Sequence, residues 1–113
     1  MATDETKQRA AAAVFVEKLR GVYDVSHVLM FGSRARGDNK PDSDLDLAVV
    51  LKGGRGDFLD TKLYMAGLAF DVLMETGVLV QPFPMWGDDL AHPEQSPNPG
   101  LIQNIARDGI RLG

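Results

Sequence analysis

Residues 28–51 contain the pattern that most constrains how this chain can fold. An apolar run at residues 28–31 ends at Gly32-Ser33, and the chain later enters residues 44–51, where aspartate and leucine alternate before an apolar end. Strand side chains alternate between two faces, so Asp44 and Asp46 project together while the leucines point into a core. An end that is apolar on both faces predicts a central strand.

The glycine-serine turn and the two aspartates carry complementary binding chemistry. A turn of this kind at a strand end leaves backbone N–H groups to cradle an anion without a side chain in the way. Carboxylate oxygens suit Mg²⁺, which is typically held by one or two carboxylates together with substrate phosphates. This combination indicates phosphoryl or nucleotidyl transfer. The alternative is an ordinary amphipathic strand with its aspartates in water, although aspartate is disfavoured in strands.

Residues 32–37 read Gly-Ser-Arg-Ala-Arg-Gly and residues 43–47 read Ser-Asp-Leu-Asp-Leu. Together they closely resemble the signature of the DNA polymerase beta-like nucleotidyltransferases, in particular the minimal nucleotidyltransferases of bacteria and archaea. The resemblance covers residues 28–50. It implies that Gly32 and Ser33 contact a nucleoside triphosphate, and that Asp44 and Asp46 are the catalytic residues that bind Mg²⁺, at a site with room for two ions.

Two arginines follow the turn, and their role is open from the sequence. Arg34 and Arg36 can each reach a triphosphate, and each can equally be a solvated loop charge. We include both among the expected nucleotide-binding residues.

The resemblance also implies a reaction and a partner. The expected reaction moves an NMP group, most simply AMP, from an NTP–Mg²⁺ complex to an acceptor hydroxyl, which can belong to a partner protein. Members of that family often pair with a helical HEPN-domain protein, and some act as antitoxins to it. A nucleotide-binding or antitoxin-type module with weak or no catalysis is therefore the alternative function.

One part of the family pattern is missing. These enzymes usually carry a third carboxylate on the strand after the long helix, where it binds one metal and often acts as the base. Here that strand, predicted at residues 78–83, contains no acid, and Gln81 is its only polar side chain. Asp88, Asp89 and Glu94 follow in a predicted loop and are expected to face water. The metal site is therefore expected to be incomplete.

The remaining elements predict a small three-layer α/β (α+β) fold, with a mixed sheet of about three or four strands flanked by helices. Asp57 is expected to cap a helix that runs to about Glu75, and Gly77 stands where a C′ glycine belongs. The stripe of that helix at Leu59, Leu63, Ala66, Phe70 and Leu73, widened by Phe58, Met65, Ala69 and Val72, predicts that it is heavily buried. The other predicted elements are helices at residues 6–23 and 101–107, a first strand at 25–31, a long loop at 85–99 and a short terminal strand at 110–112.

Length and composition limit the class of protein. A chain of 113 residues is expected to form one domain, residues 1–113, and a net charge of −4 disfavours nucleic acid as a partner. There is no apolar run of 18 residues and no secretory signal, so a membrane association is not expected. The absence of cysteine fits a cytoplasmic protein. A homo-oligomer stays open.

Overall fold

The computed structural model describes residues 4–32, 45–54, 56–96 and 98–112. In this part of the chain the strands form one sheet, and the helices pack around it. These elements are α1 (Asp4–Arg20), β1 (Val25–Phe31), β2 (Leu45–Leu51), α2 (Phe58–Thr76), β3 (Val80–Trp86), α3 (Gly87–Ala91), a 3₁₀ turn (Pro93–Gln95), α4 (Pro99–Asp108) and β4 (Ile110–Arg111).

Within the described residues the strands form one mixed sheet in the order β3-β2-β1-β4. The β1 strand runs antiparallel to both β2 and β4, whereas β2 and β3 are parallel and are connected through α2. The β2 strand therefore lies inside the sheet, and its last five residues are buried. This confirms the predicted mixed sheet and the predicted central strand.

Helices cover both faces of the sheet, which gives the predicted three layers. On one face α1 and α2 pack over the alternate residues Leu45, Leu47, Val49 and Leu51 of β2. On the other face α4 packs Ile102 and Ile105 against Ala48, Val50 and Met85. Because strand side chains alternate, Asp46 belongs to the face that α4 covers.

The ends of α2 follow from local chemistry and confirm the prediction. The Asp57 side chain accepts a hydrogen bond from the backbone N–H of Asp60 at 2.9 Å, which satisfies a donor in the first turn. At the other end Gly77 has φ +78°, and its N–H donates to the Leu73 carbonyl at 2.8 Å. This left-handed conformation favours glycine.

The α2 helix is not heavily buried as predicted, because only three residues of the predicted set, all from its widening, are buried. Met65, Ala69 and Val72 enter the core, whereas most of the predicted stripe faces solvent, with Leu59 and Leu63 each 62% exposed and Phe70 58% exposed. Apolar residues surround most of this helix, so periodicity alone does not select a face. The small Ala69 and the β-branched Val72 allow close approach to the sheet.

The segment after α2 is more ordered than predicted. The third strand begins at Val80 and runs to Trp86 at the edge of the sheet, and the predicted long loop contains α3 and the 3₁₀ turn. Proline suits the first position of a helix because its missing N–H has no partner there. Pro93 and Pro99 each begin a helix in this way.

Candidate functional site

The predicted anion-binding turn begins where β1 ends. Gly32 follows Phe31 directly and has φ +77°, a conformation that L side chains rarely adopt. Phe31 lies opposite Asp46 in the antiparallel pairing of β1 with β2. The turn and the aspartate therefore meet at the same end of two adjacent strands.

The contact between Gly32 and Asp46 is close. A Cβ atom added at Gly32 would lie 2.5 Å from Asp46 Oδ2 and 3.4 Å from its Cγ. Any side chain at position 32 would thus occupy the space that the Asp46 carboxylate takes. The fold places a carboxylate directly against backbone that carries no side chain, which is the juxtaposition that an anion-binding turn next to a metal ligand requires.

Gln81 occupies the position beside Asp46 on the other neighbouring strand. The two residues are register partners in the parallel pairing of β2 with β3, and Gln81 is exposed. Backbones of adjacent strands lie about 4.8 Å apart, so a side chain here is within reach of whatever Asp46 binds. The third carboxylate of the resembled family is expected on this strand, and an uncharged amide stands there.

The acids after β3 do not replace the missing carboxylate. Asp88 is exposed as predicted, and Glu94 is exposed in an ion pair with His92, with Nδ1 and Oε1 3.4 Å apart. The expectation that Asp89 faces water is wrong, because it is 5% exposed and its Oδ2 accepts a hydrogen bond from the Trp86 N–H at 2.9 Å. Among the described residues, no group of three or more His, Asp or Glu side chains is placed to hold a metal.

Several predicted site residues lie outside the described residues. These are Ser33, Arg34, Arg36 and Asp44. Their roles therefore stay predictions from the sequence, and only Gly32 and Asp46 of the predicted set have a described geometry.

The described part of the site fits Mg²⁺ in its chemistry. Asp46 offers carboxylate oxygens, the ligand type that this hard cation prefers. Gln81 adds a neutral oxygen at most, which is a weaker ligand than a carboxylate. The described donors, one carboxylate and one amide, are only part of the ligand set that Mg²⁺ needs.

One protein-family model matches most of this chain. The sequence model of the nucleotidyltransferase domain matches residues 12–109. No curated protein sequence matches the chain. None of the described helices is long and apolar enough to cross a membrane.

Two solved structures resemble this fold. A candidate nucleotidyltransferase from Sulfolobus solfataricus superposes with a TM-score of 0.63 at 22% identity, covering 98% of this chain and 86% of the other. A toxin-antitoxin structure with AMP-PNP also gives a TM-score of 0.63, at 18% identity, covering 93% of this chain and 72% of the other. At these identities the likeness establishes the fold.

Proposed function

Because the chain belongs to the nucleotidyltransferase domain family, we propose that it transfers an NMP group, with AMP as the first candidate, from a nucleoside triphosphate to an acceptor hydroxyl. The observation that carries the proposal is the contact between Gly32 and Asp46. A turn with no side chain and a carboxylate meet at one point, so one triphosphate can engage both.

The transfer forms one bond and breaks one. The acceptor oxygen attacks the α-phosphorus, the bond from that phosphorus to the oxygen bridging to the β-phosphate breaks, and pyrophosphate leaves. The acceptor proton passes to water or to a base on the acceptor side. Backbone N–H groups at Gly32 and Ser33 hold the β- and γ-phosphates, and Arg34 and Arg36 offset their charge.

Asp44 and Asp46 are the residues that would hold Mg²⁺ in this proposal. The bound ion would neutralise phosphate charge and orient the leaving group. The chain's own contribution is to fix the Asp46 carboxylate on a buried central strand. Since the neighbouring residues of β2 are in the core, the backbone that carries the carboxylate is held in place before any ligand arrives.

Ligand-dependent thermal stability tests the proposal. ATP with Mg²⁺ at a hundred times the Kd should stabilise the folded state by about 2.7 kcal/mol. For 113 residues this corresponds to a rise in Tm of roughly 10 °C. ATP with EDTA should give much less, because the phosphates would then face carboxylates without a cation between them.

A pair of variants locates the effect. Asp46→Asn should remove the Mg²⁺-dependent part of the stabilisation while the protein stays folded. Asp24→Asn is the matched control, since Asp24 is an exposed acid just before β1 and lies about 27 Å from Gly32 at 3.4 Å per strand residue. If saturating ATP and Mg²⁺ change neither the Tm nor the heat measured by calorimetry, the proposal fails.

A second candidate function is an antitoxin-type module that binds nucleotide but transfers it slowly, and that acts with a HEPN-like helical partner. Gln81 favours it, because an amide beside Asp46 provides neither a third charged metal ligand nor a base. A general base is worth about 10²–10⁴-fold in rate. The AMP-PNP in the similar toxin-antitoxin structure also supports nucleotide binding in such a setting.

Gln81→Asp distinguishes the two candidates. Transfer of labelled α-phosphate from ATP to protein or small-molecule acceptors is measured for the wild type and the variant. A transferase that already works well should gain little, whereas a weakened module should gain at least about tenfold from the restored carboxylate. A wild type that transfers nothing but binds a helical protein encoded beside it, with Mg²⁺-ATP binding intact, would establish the second function and exclude the first.

A further inference from the structure

The outward face of α2 is apolar and is not covered by any described part of the chain. We call it the outer stripe, and its members share exposure to solvent and a position away from the sheet. They are Leu59, Leu63, Ala66, Gly67, Phe70 and Met74. Met74 is the most exposed of the large side chains, at 71%. Single exposed apolar residues are ordinary, but a continuous row of this length marks an interaction site.

The spacing of the outer stripe suits contact with another helix. Its residues recur every three or four positions, which keeps them on one side of a helix of 3.6 residues per turn. The large side chains lie toward both ends, and the smallest residues, Ala66 and Gly67, lie at the centre. A Cβ added at Gly67 would meet nothing within 4 Å, so a second helix backbone has room to approach there.

The pattern is symmetric about its centre. Counting outward from the midpoint between Ala66 and Gly67, Leu63 and Phe70 are equally distant, and so are Leu59 and Met74. An antiparallel second copy would therefore bring each large residue against a large one and each small residue against a small one. A two-fold symmetric interface requires such a self-complementary pattern, because residue i of one copy contacts residue j of the other while j contacts i.

We propose that two copies of this chain associate through the outer stripe, with the two α2 helices antiparallel and crossing at Ala66 and Gly67. This inference is independent of the proposed catalytic function. The four large side chains are 58–71% exposed, and one helix face of this size offers less than the roughly 800 Å² per partner of a standard interface. A reversible dimer with a micromolar Kd is the expected strength.

Charges beside the stripe limit the strength of the dimer. Asp60 and Asp71 lie on one side of the stripe and Lys62 on the other, all exposed. In an antiparallel two-fold contact, each side of the stripe lies against the same side of the stripe in the second copy. Asp71 of one copy therefore approaches Asp60 of the other. This brings like charges together, which weakens the dimer, although exposure to solvent and salt screens the repulsion. The apolar contact must therefore supply the association. A lipid surface is disfavoured as an occupant, because such helices carry basic flanks.

Sedimentation equilibrium over a wide concentration range tests the association. The wild type should shift from monomer to dimer, and Phe70→Glu should raise the Kd at least about tenfold by placing a charge against Leu63 of the second copy. The control is Ile110→Glu, because Ile110 is 44% exposed on β4 at the opposite edge of the sheet. A wild type that stays monomeric at several hundred micromolar, or a dimer that Phe70→Glu leaves unchanged, overturns the proposal.

Single cysteines test the antiparallel register, since the natural chain has none. Under mild oxidation Ala66→Cys should form an intermolecular disulfide, because its two copies meet at the crossing point. Leu59→Cys should not, since its two copies would lie about 22 Å apart along the helix axis at 1.5 Å per residue, far beyond the reach of a disulfide. Efficient coupling at Leu59 indicates parallel helices and overturns the proposal, as does a failure to couple at Ala66 in a protein that dimerises.

Discussion

Gly32→Ala probes the contact on which the proposed function rests, and its cost can be worked out from the structure. A non-glycine residue in the left-handed region costs about 1–2 kcal/mol, and Gly32 has φ +77°. The new Cβ would also lie 2.5 Å from Asp46 Oδ2, so the carboxylate must turn away at a further cost of about 0.5–1.5 kcal/mol. The expected loss of stability is about 1.5–3.5 kcal/mol.

Gly77→Ala is the matched control. Gly77 has nearly the same φ, +78°, but a Cβ there would meet nothing within 4 Å. This variant should therefore lose only the backbone part, about 1–2 kcal/mol. The difference between the two variants isolates the displacement of the Asp46 carboxylate.

Thermal unfolding monitored by circular dichroism measures both variants. With an unfolding entropy of about 2.1 cal/mol/K per residue, 1 kcal/mol lowers the Tm of 113 residues by about 4 °C. The Tm should fall by about 6–14 °C in Gly32→Ala and by about 4–8 °C in Gly77→Ala. In an Asp46→Ala background the cost of Gly32→Ala should drop to that of Gly77→Ala.

The same variants separate stability from binding. Gly32→Ala should lose most of the stabilisation by Mg²⁺-ATP, because the displaced carboxylate no longer stands beside the turn, whereas Gly77→Ala should retain it. Equal costs for the two glycine variants, together with a Gly32→Ala cost that does not change when Asp46 is removed, would refute the reasoning. The two residues would then not be in contact.

Two further predictions concern groups outside the proposed site. Asp89→Ala should cost about 1–3 kcal/mol in urea unfolding, because it leaves the buried Trp86 N–H without its acceptor. Asp88→Ala, at an exposed position of the same helix, should cost under about 0.5 kcal/mol, and similar losses in the two variants would contradict the capping role. Burial, aided by the positive charge of Arg111, lowers the pKa of His27 below its ordinary value of 6.5. The unfolded chain therefore binds a proton first, so stability should fall as pH drops below about 6.5, and urea midpoints at pH 7.5 and 5.5 should converge in His27→Gln.

Short-range chemistry made much of the fold predictable from the sequence. The observed bounds of β1 are the predicted ones. Both ends of α2 depend on residues that act locally, namely the Asp57 cap and the Gly77 turn. The meeting of Gly32 with Asp46 was implied by the joined motif, although its closeness depends on the antiparallel register of β1 and β2. Sequence spacing alone does not give that register.

The features that the sequence did not predict depend on long-range packing. The orientation of α2 is one, because a helix that is apolar around most of its surface can present either side to the sheet. The burial of Asp89 was also missed, but for a local reason. Its signal was available in the sequence, since an acid three residues after Trp86 fits a capping arrangement at a helix start, but the surrounding prolines indicated a loop.

The edge position of β3 affects how easily this chain can change its activity over evolutionary time. Gln81 is exposed at the border of the sheet, so replacing it disturbs no buried packing. A glutamine codon becomes a glutamate codon by a single base change, which would put a carboxylate beside Asp46 with little effect on folding. Under the proposed function, a third carboxylate beside Asp46 is thus one mutation away, and a Gln81→Glu variant with an unchanged Tm would show that this step is open to the protein.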